Sequence, residues 1–515
     1  MSNGDLVKSY EDASDYSIQL NRWLLKLVGA WPNSTTTTVK EKVTSIILII
    51  IGYSLIGFTV IPCILNILFE ETEMEKKLKA VGPLSHWCMG GVNYFSLLFR
   101  SRQIHRCLQH MRADWRTVTE IQDRQVMLRY AKAGRFVAGL CAILMHGGVF
   151  SHSLIQGTAP AYVIIDNVSV SVHILPCPSF KKFMDTTQSP TGEIALTVQL
   201  ISTFVVNSVT AGACSLAAVF AMHACGQLNV LTRWLDQLDD QKQQDTVQRQ
   251  LAIIVEHHLR VLSFVAQMEA LLNQICFVEL LGCTFNLCML GYYILTGWNA
   301  MEKRTSICYM IIYVSMAFNI FIFCYIGETV TEQCKQVGET AYKTNWYRLR
   351  HKTARGLILI ISRSSTVIKL TAGKLVHLSI ATFGDVIRTS MIYLNMLRTM
   401  TKFLTFQNWS DFDAAKITSY IIVYLSMAFN IFIFCYTGEI LTEQCKQVGE
   451  TAYKTNWYRL PHKTARGLIL IISRSSTVIK LTAGKLIHLS IATFGDVMRT
   501  SMIYLNMLRT MTVNA

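Results

Sequence analysis

Thr382, Thr389, Asn395 and Thr399 interleave with Leu394, Met396, Leu397 and Met400 on one apolar segment near residue 390. On a helix that pattern sets a polar face beside an apolar one. An ion crossing a bilayer needs such a face, because a wholly apolar helix offers nothing in place of water. Met396 and Met400 are four residues apart and share a helix face. An apolar ring made of such residues blocks ions by dewetting; methionines at this spacing equally serve to pack against neighbouring helices. Asp385 and Arg388 lie three apart on the same segment. Charges at membrane depth are costly, so they either border a water-filled vestibule or pair with each other. Glu279 interrupts another apolar run and needs a partner that the sequence does not name. His86, His146 and His152 lack the spacing of metal ligands, and a buried histidine usually finds a simpler hydrogen bond. No metal or cofactor is expected. The chain has no Gly-rich phosphate loop, nucleophile elbow or zinc-protease motif, so no enzyme is expected either.

The elements that hold these residues are membrane spans. Of 515 residues 51% are hydrophobic and only 16% charged, against roughly a quarter charged in soluble domains. That excludes disorder, and 15 dispersed cysteines exclude a disulfide-stapled module. The net charge of +15 is spread between apolar runs instead of gathered on a soluble face, so no nucleic-acid partner is expected. Runs of about 20 apolar residues, enough to cross the bilayer, occur at 43–69, 80–99, 136–155, from Ile194, 270–301, 307–327 and 375–400. The fourth stays uncharged to Arg233, too long for one crossing, so its later part leaves the membrane as helix. The opening MSNGDLVKSYEDASDYS lacks the apolar core of a secretory signal.

Tyr309–Thr401 recurs as Tyr420–Thr512 with nine differences, among them Ile326/Thr437, Thr329/Ile440, Arg350/Pro461 and Ile387/Met498. Either a nine-span protein exists, or two alternative terminal exons have been read as one chain. The cost of exposing Asp496, Arg499 and Thr510 to lipid favours the second. Lys and Arg mark cytoplasmic loops. With the N-terminus inside, 35 fall in inner segments and 9 in outer ones. A G-protein-coupled receptor requires the opposite orientation and would carry Pro-kinked late spans, which are absent here. A secondary transporter would show ancient, divergent repeats, not a recent copy. The expected fold class is all-α: a polytopic helical membrane protein, a seven-transmembrane bundle with a cytoplasmic N-terminus, plus the second copy of spans six and seven. Its parts are a cytoplasmic segment 1–42, the bundle 43–401 with a helical extension 225–271, a linker 402–417 and the copy 418–515. In the extension, Leu228, Leu231, Leu235 and Leu238 form one apolar stripe and Leu251, Ile254, His258 and Leu262 another, with the turn near Asp236–Gln244.

Three stretches carry a family resemblance. They are AMHACGQLNVLTRWL from Ala221, SMAFNIFIFCYIGETVTEQCKQVGETAYKTNWYRL from Ser315, and LTAGKLVHLSIATFGDVIRTSMIYLNMLRTM from Leu370. The chain to about Thr401 resembles insect odorant receptors, in the style of wasps, ants and bees; the second copy departs from that pattern. The resemblance implies a ligand-gated, nonselective cation channel, opened by a small volatile organic ligand. It also implies a heterotetramer with the odorant receptor co-receptor, in the plasma membrane of olfactory sensory neurons. It sets Met396 and Met400 where two apolar residues form the gate, with Thr399 between them and Asn395 beside them, and gives Asp385 and Arg388 to the inner vestibule. Sister gustatory receptors and the co-receptor carry Gln at the position held here by Thr399, which implies a ligand-tuning subunit. The extension would form the anchor where subunits touch. The ligand would lie in the outer half of the bundle among spans two, three, four and six. Candidates there are His86, Trp87, Met89, Met145, His146, Phe150, Thr197, Phe204, Tyr309 and Tyr313, each of them also ordinary core material. The sequon at Asn167 is the expected glycosylation site, with Asn33 on the opposite side.

Overall fold

The computed structural model describes residues 3–32, 38–71, 74–158, 160–165, 168–173, 175–182, 184–186, 190–238, 244–297, 303–344, 349, 351–365, 369–374, 376–404, 414–454, 481–483 and 487–501. The chain forms two compact units, Met1–Thr401 and Lys402–Ala515.

In the first unit, α1 (Asn3–Leu27) buries Ile18, Asn21 and Leu25 and exposes Trp23 and Leu27. It stops at Gly29, with φ +70°. The Gly29 N–H donates to the Lys26 carbonyl at 3.1 Å and the Ala30 N–H to the Leu25 carbonyl at 2.8 Å, which satisfies two carbonyls that the helix end would orphan. A Cβ on Gly29 would sit 2.6 Å from the Ser45 carbonyl oxygen. Gly29→Ala is therefore expected to cost about 2 kcal/mol in backbone strain and clash. Heating the detergent-solubilised protein before size-exclusion chromatography checks this; an unchanged melting midpoint would show the cap to be dispensable.

Helix α2 (Val39–Leu65) opens on a capping box between Thr38 and Glu41. It exposes Val43, Ile46, Ile47, Ile50 and Ile51, as a lipid-facing helix does. Past Pro62 it widens into a π-turn, Asn66–Glu70. Then follow α3 (Met74–Phe99), the amphipathic α4 (Ser101–Thr117) and α5 (Ile121–Thr158). An antiparallel hairpin, β1 (Pro160–Ile165) with β2 (Val168–His173), precedes α6 (Thr191–Asp236). Next come α7 (Gln244–Gly297), α8 (Lys303–Lys343) and α9 (His351–Ser365). A second hairpin, β3 (Thr371–Ala372) with β4 (Val376–His377), leads into α10 (Ile380–Leu404). Among the described residues, α2, α6, α7 and α8 are long and apolar enough by themselves to cross a membrane. The more polar α3, α5 and α10 pack against them.

The 46 residues of α6 and 54 of α7 make rods of roughly 70 and 80 Å at 1.5 Å per residue, more than twice the hydrocarbon thickness. Their surplus length falls where the extension is expected, and α6 ends at Asp236 where α7 begins at Gln244. The two apolar stripes are buried by the same chain: Leu228, Leu231 and Leu235 are fully enclosed, and Leu251 lies against Gly356 of α9. One expectation is corrected. The seventh span begins at Ile380, not at residue 375, because Gly373 and Lys374 take positive φ (61° and 60°) and turn the chain back as β3–β4. The Gly373 N–H donates to the Asn273 carbonyl at 2.7 Å and Thr371 Oγ1 to Glu269 at 2.6 Å, which pins this hairpin on α7.

The extension is held by buried charge. Asp114 on α4 accepts from His223 Nε2 of α6 at 2.9 Å and pairs with Arg260 Nε of α7 at 2.7 Å. Burial alone would raise the Asp114 carboxyl; the His223 hydrogen bond, with the charges of His223, His110 and Arg260, outweighs it and holds it below the ordinary value. On α7, burial and the nearby Arg363 push His258 down to about 4, and burial likewise depresses His257. These rings are neutral when folded, whereas the unfolded chain takes up their protons near pH 6.5. Their contribution to stability is complete above that pH and is lost as pH falls toward about 4. His258→Leu should flatten this arm of the melting-midpoint profile, and an unaltered slope would place the titration elsewhere.

In the second unit, α11 (Ala414–Lys454) and the hairpin β5 (Thr482–Ala483) with β6 (Ile487–His488) repeat the local bonds of the first copy. Ile380 N–H donates to Glu328 at 3.4 Å, and Ile491 N–H to Glu439 at 3.3 Å. The surroundings differ: Ile320, Ile322 and Phe323 are buried, while their counterparts Ile431, Ile433 and Phe434 are exposed.

Candidate functional site

A cavity of about 360 Å³ opens at the end of the first unit away from the extension. Three helices wall it. On α3 it meets Ala80, Pro83, His86 and Trp87; on α7 Asn286, Met289, Leu290 and Tyr293; on α8 Tyr309, Ile312 and Met316. The π-turn contributes Asn66, and the segment Leu175–Pro178 roofs the space. Lys76, Lys77 and Lys79 stand at the mouth with Glu71. The wall is apolar with a few fixed polar groups, which is the constitution of a small-molecule site.

Each wall is cross-tied. His86 Nε2 meets Asn207 Oδ1 at 3.0 Å and Trp87 Nε1 donates to Ser202 Oγ at 2.9 Å, both joining α3 to α6. Ser85 Oγ donates to Asn286 Oδ1 at 2.9 Å, and Tyr293 OH donates to the Leu78 carbonyl, joining α3 to α7. The roof is held by Gln199 of α6, whose amide both accepts from Cys177 N–H at 3.1 Å and donates to its carbonyl at 2.9 Å.

Of the ten candidates, the structure brings His86, Trp87 and Tyr309 to the cavity. The other seven do not line it. Met89 turns down onto Gly282, Met145 is buried where Ser315 donates to its sulfur, and His146 is taken up by Ser208 at 3.1 Å and by the Phe204 ring. Phe150, Thr197 and Phe204 are exposed on the bundle's outside, and Tyr313 is half-buried in the core. The physical reason is that α7, not α5 and α6, supplies the facing wall. The sequence signal was there to be read: Asn286 and the pair Tyr292–Tyr293 sit at one end of an otherwise apolar span.

Glu279 finds its partners two turns below Asn286. It is fully buried and accepts from Asn93 Nδ2 of α3, from Asn319 Nδ2 of α8 at 2.7 Å and from the Cys283 thiol at 3.6 Å. The three helices that wall the cavity are thus knotted together beneath it.

Helix α10 packs on α7 through Val386, Ser390 and Leu394; Ser390 Oγ donates to the Thr284 carbonyl at 3.2 Å, and Leu394 fits over Gly291. Its opposite face carries Asp385, Arg388, Ile392 and Asn395, all exposed and at helical spacing along one stripe. No ion pair joins Asp385 to Arg388 among the described residues. The side chains of Met396, Thr399 and Met400 lie outside the described residues, as do the whole of Asn167 and Asn33.

A family model described as 7tm Odorant receptor matches residues 73–391 and 396–502. The chain is similar to Odorant receptor 10 of Aedes albopictus, 26% identical over 228 residues, or 44% of this chain and 60% of that protein. It is also similar to Odorant receptor 82a of Drosophila melanogaster, 24% identical over 226 residues, 44% of this chain and 58% of that protein. The aligned stretch thus spans about three fifths of these two relatives. Odorant receptor Or2 of Anopheles gambiae aligns further, at 22% identity over 66% of this chain and 91% of its own length. The olfactory receptor OR5 of Machilis hrabei shares the fold, with a TM-score of 0.59 and 16% identity over 74% of this chain and 99% of that one. Its complex with eugenol superposes at a TM-score of 0.60, with 15% identity over 76% of this chain and 99% of the receptor.

Proposed function

The chain belongs to the 7tm odorant receptor family, and on that premise we propose that it is an odorant-tuning subunit of a heteromeric cation channel. A volatile organic ligand enters the cavity between α3, α7 and α8, and a path lined by α10 opens. The partner is the odorant receptor co-receptor in a heterotetramer, and the site of action is the plasma membrane of olfactory sensory neurons. The loop charges give a cytoplasmic N-terminus, so the cavity lies in the outer half of the bundle.

The observation that carries this reading is the double duty of α7. Met289, Leu290 and Tyr293 line the cavity, and Gly291 between them seats Leu394 of α10. A ligand that spreads the cavity moves the surface on which α10 rests. The exposed stripe from Asp385 to Asn395 supports an aqueous neighbour for that helix, since such groups are costly against lipid. The eugenol complex of the Machilis hrabei receptor supports a small organic ligand.

The test is co-expression with the co-receptor in oocytes under an odorant panel. Inward current that survives intracellular blockade of G proteins and is absent without the co-receptor is the expected result. A current abolished by that blockade would point to a metabotropic receptor. Glycan mapping completes it: modification at Asn167 is expected, and modification at Asn33 with Asn167 bare would invert the chain.

A further inference from the structure

We propose that Cys63 and Cys177 are joined by a disulfide that clamps the roof of the cavity to the outer end of α2. The proposal rests on the cytoplasmic N-terminus and stands whether or not the cavity takes an odorant.

Both residues are fully enclosed, and their thiols are hydrogen-bonded to each other. Two neighbouring contacts hold the same segments together. One turn beyond Cys63, Asn66 Nδ2 donates to the Ser179 carbonyl at 3.4 Å, and Glu70 accepts from the Lys181 N–H at 2.9 Å. Cys177 stands between Pro176 and Pro178, whose rings fix φ on either side. Its own N–H and carbonyl are both held by Gln199 of α6, at 3.1 and 2.9 Å. The backbone around this sulfur is already ordered, so little freedom is lost when a bond forms. Leu175, Pro176 and Pro178 line the cavity together with Asn66 and Ile67, so the bond joins two parts of one wall.

Contact alone does not make a disulfide, and the bundle supplies the comparison. Cys141 of α5 and Cys214 of α6 are also buried, with their sulfurs 3.4 Å apart. What separates the two pairs is the side of the membrane. The third span, 136–155, starts from the cytoplasmic side, so Cys141 stands near that end, where thiols are kept reduced. Cys63 is near the outer end of the first span, and Cys177 lies in the loop between spans three and four, on the oxidising side. The oxidant is a protein disulfide of the secretory lumen, met before the roof seats. The Cys177 thiolate attacks it to give a mixed disulfide, and the Cys63 thiolate then attacks the Cys177 sulfur. The carrier leaves as a dithiol, holding the two electrons and two protons that the pair gave up. Cys88 is a third thiol nearby, but it is exposed and, among the described residues, hydrogen-bonds neither partner. A soft metal ion would need such a third ligand, and among the described residues no three metal-binding groups converge.

The test uses the full chain expressed with its co-receptor. Receptor captured from the cell surface is denatured in N-ethylmaleimide, digested without reductant and read by mass spectrometry. A peptide linked through Cys63 and Cys177 is expected, with Cys141 and Cys214 carrying the maleimide. Maleimide on Cys63 and Cys177, with glycan on Asn167, would overturn the proposal and leave the orientation standing. The same adducts with Asn167 bare and Asn33 modified would sink both. A link from either cysteine to Cys88 would overturn the pairing. Cys63→Ser, Cys177→Ser and the double variant supply a second measurement, the melting midpoint of the solubilised receptor. Once one sulfur of a bonded pair is gone the other has no bond to lose, so the double variant should lose about as much as either single one. Losses that sum would mean two thiols that only pack, and would overturn the bond.

Discussion

Glu279→Ala is expected to lower the stability of the solubilised receptor by about 3 to 5 kcal/mol. Its carboxylate is the shared acceptor for amides from α3 and α8. Truncation strands both donors where water does not reach, at about 1 to 3 kcal/mol each, and leaves a cavity as well. Glu279→Gln keeps shape and one acceptor oxygen, so it should retain more than half of the lost stability. Melting midpoints of the two variants by size-exclusion chromatography decide the matter. If Gln proves as damaging as Ala, the charge and not the hydrogen-bond count is what matters. The knot ties together the walls of the cavity, so the Gln variant should also shift ligand potency where a surface substitution would not.

Asp114→Ala should cost about 3 to 5 kcal/mol, the usual penalty for removing one partner of a buried pair. His223 loses its hydrogen-bond acceptor and the guanidinium of Arg260 its counter-charge. The pH dependence has a definite sign. A carboxyl held below its ordinary value contributes fully above about pH 3.8 and gives way only as pH falls further. The Asp114 contribution should therefore be flat across pH 5 to 8, while the wild-type decline below about 6.5 comes from the buried histidines. Melting curves of wild type and Asp114→Ala that converge near pH 6 would contradict this division. Asp114→Asn, which keeps the shape but not the charge, should fall between the two.

Much of this architecture was legible in the chain. The apolar run that begins at Ile194 stays uncharged to Arg233, longer than one bilayer crossing needs, and α6 is one continuous helix of 46 residues. The Asp- and Gln-rich stretch between the two leucine stripes correctly marked where α6 and α7 separate. What sequence periodicity could not supply was partnership over distance. Asn93 lies 186 residues from Glu279 and Asn319 lies 40 away, and nothing local couples three helices. The cavity met the same limit: of the residues that line it, His86 and Trp87 stand out in an apolar span, whereas Met289 and Leu290 look like any lipid-facing residues. The hairpin at Thr371–His377 was hidden by its composition, since LTAGKLVHLS is apolar enough to extend a span. Only the positive φ at Gly373 and Lys374 breaks it. The hairpin of β1 and β2 carries a signal that the span pattern passed over: VSVSVH alternates with period two, as a strand does.

The two copies of α8 amount to a controlled comparison made by the genome. One sequence is constrained by neighbours over Ile320, Ile322 and Phe323, and its twin bears the same side chains uncovered at Ile431, Ile433 and Phe434. If both copies stand in one chain, selection acting through burial weighs on the first and scarcely on the second. The difference at Ile326 and Thr437 already has that form, for the enclosed position holds isoleucine and the exposed one a hydroxyl. Substitutions should accumulate faster along α11 than along α8 in related lineages. Equal divergence of the two would instead mark them as alternative exons, each packed in a bundle of its own.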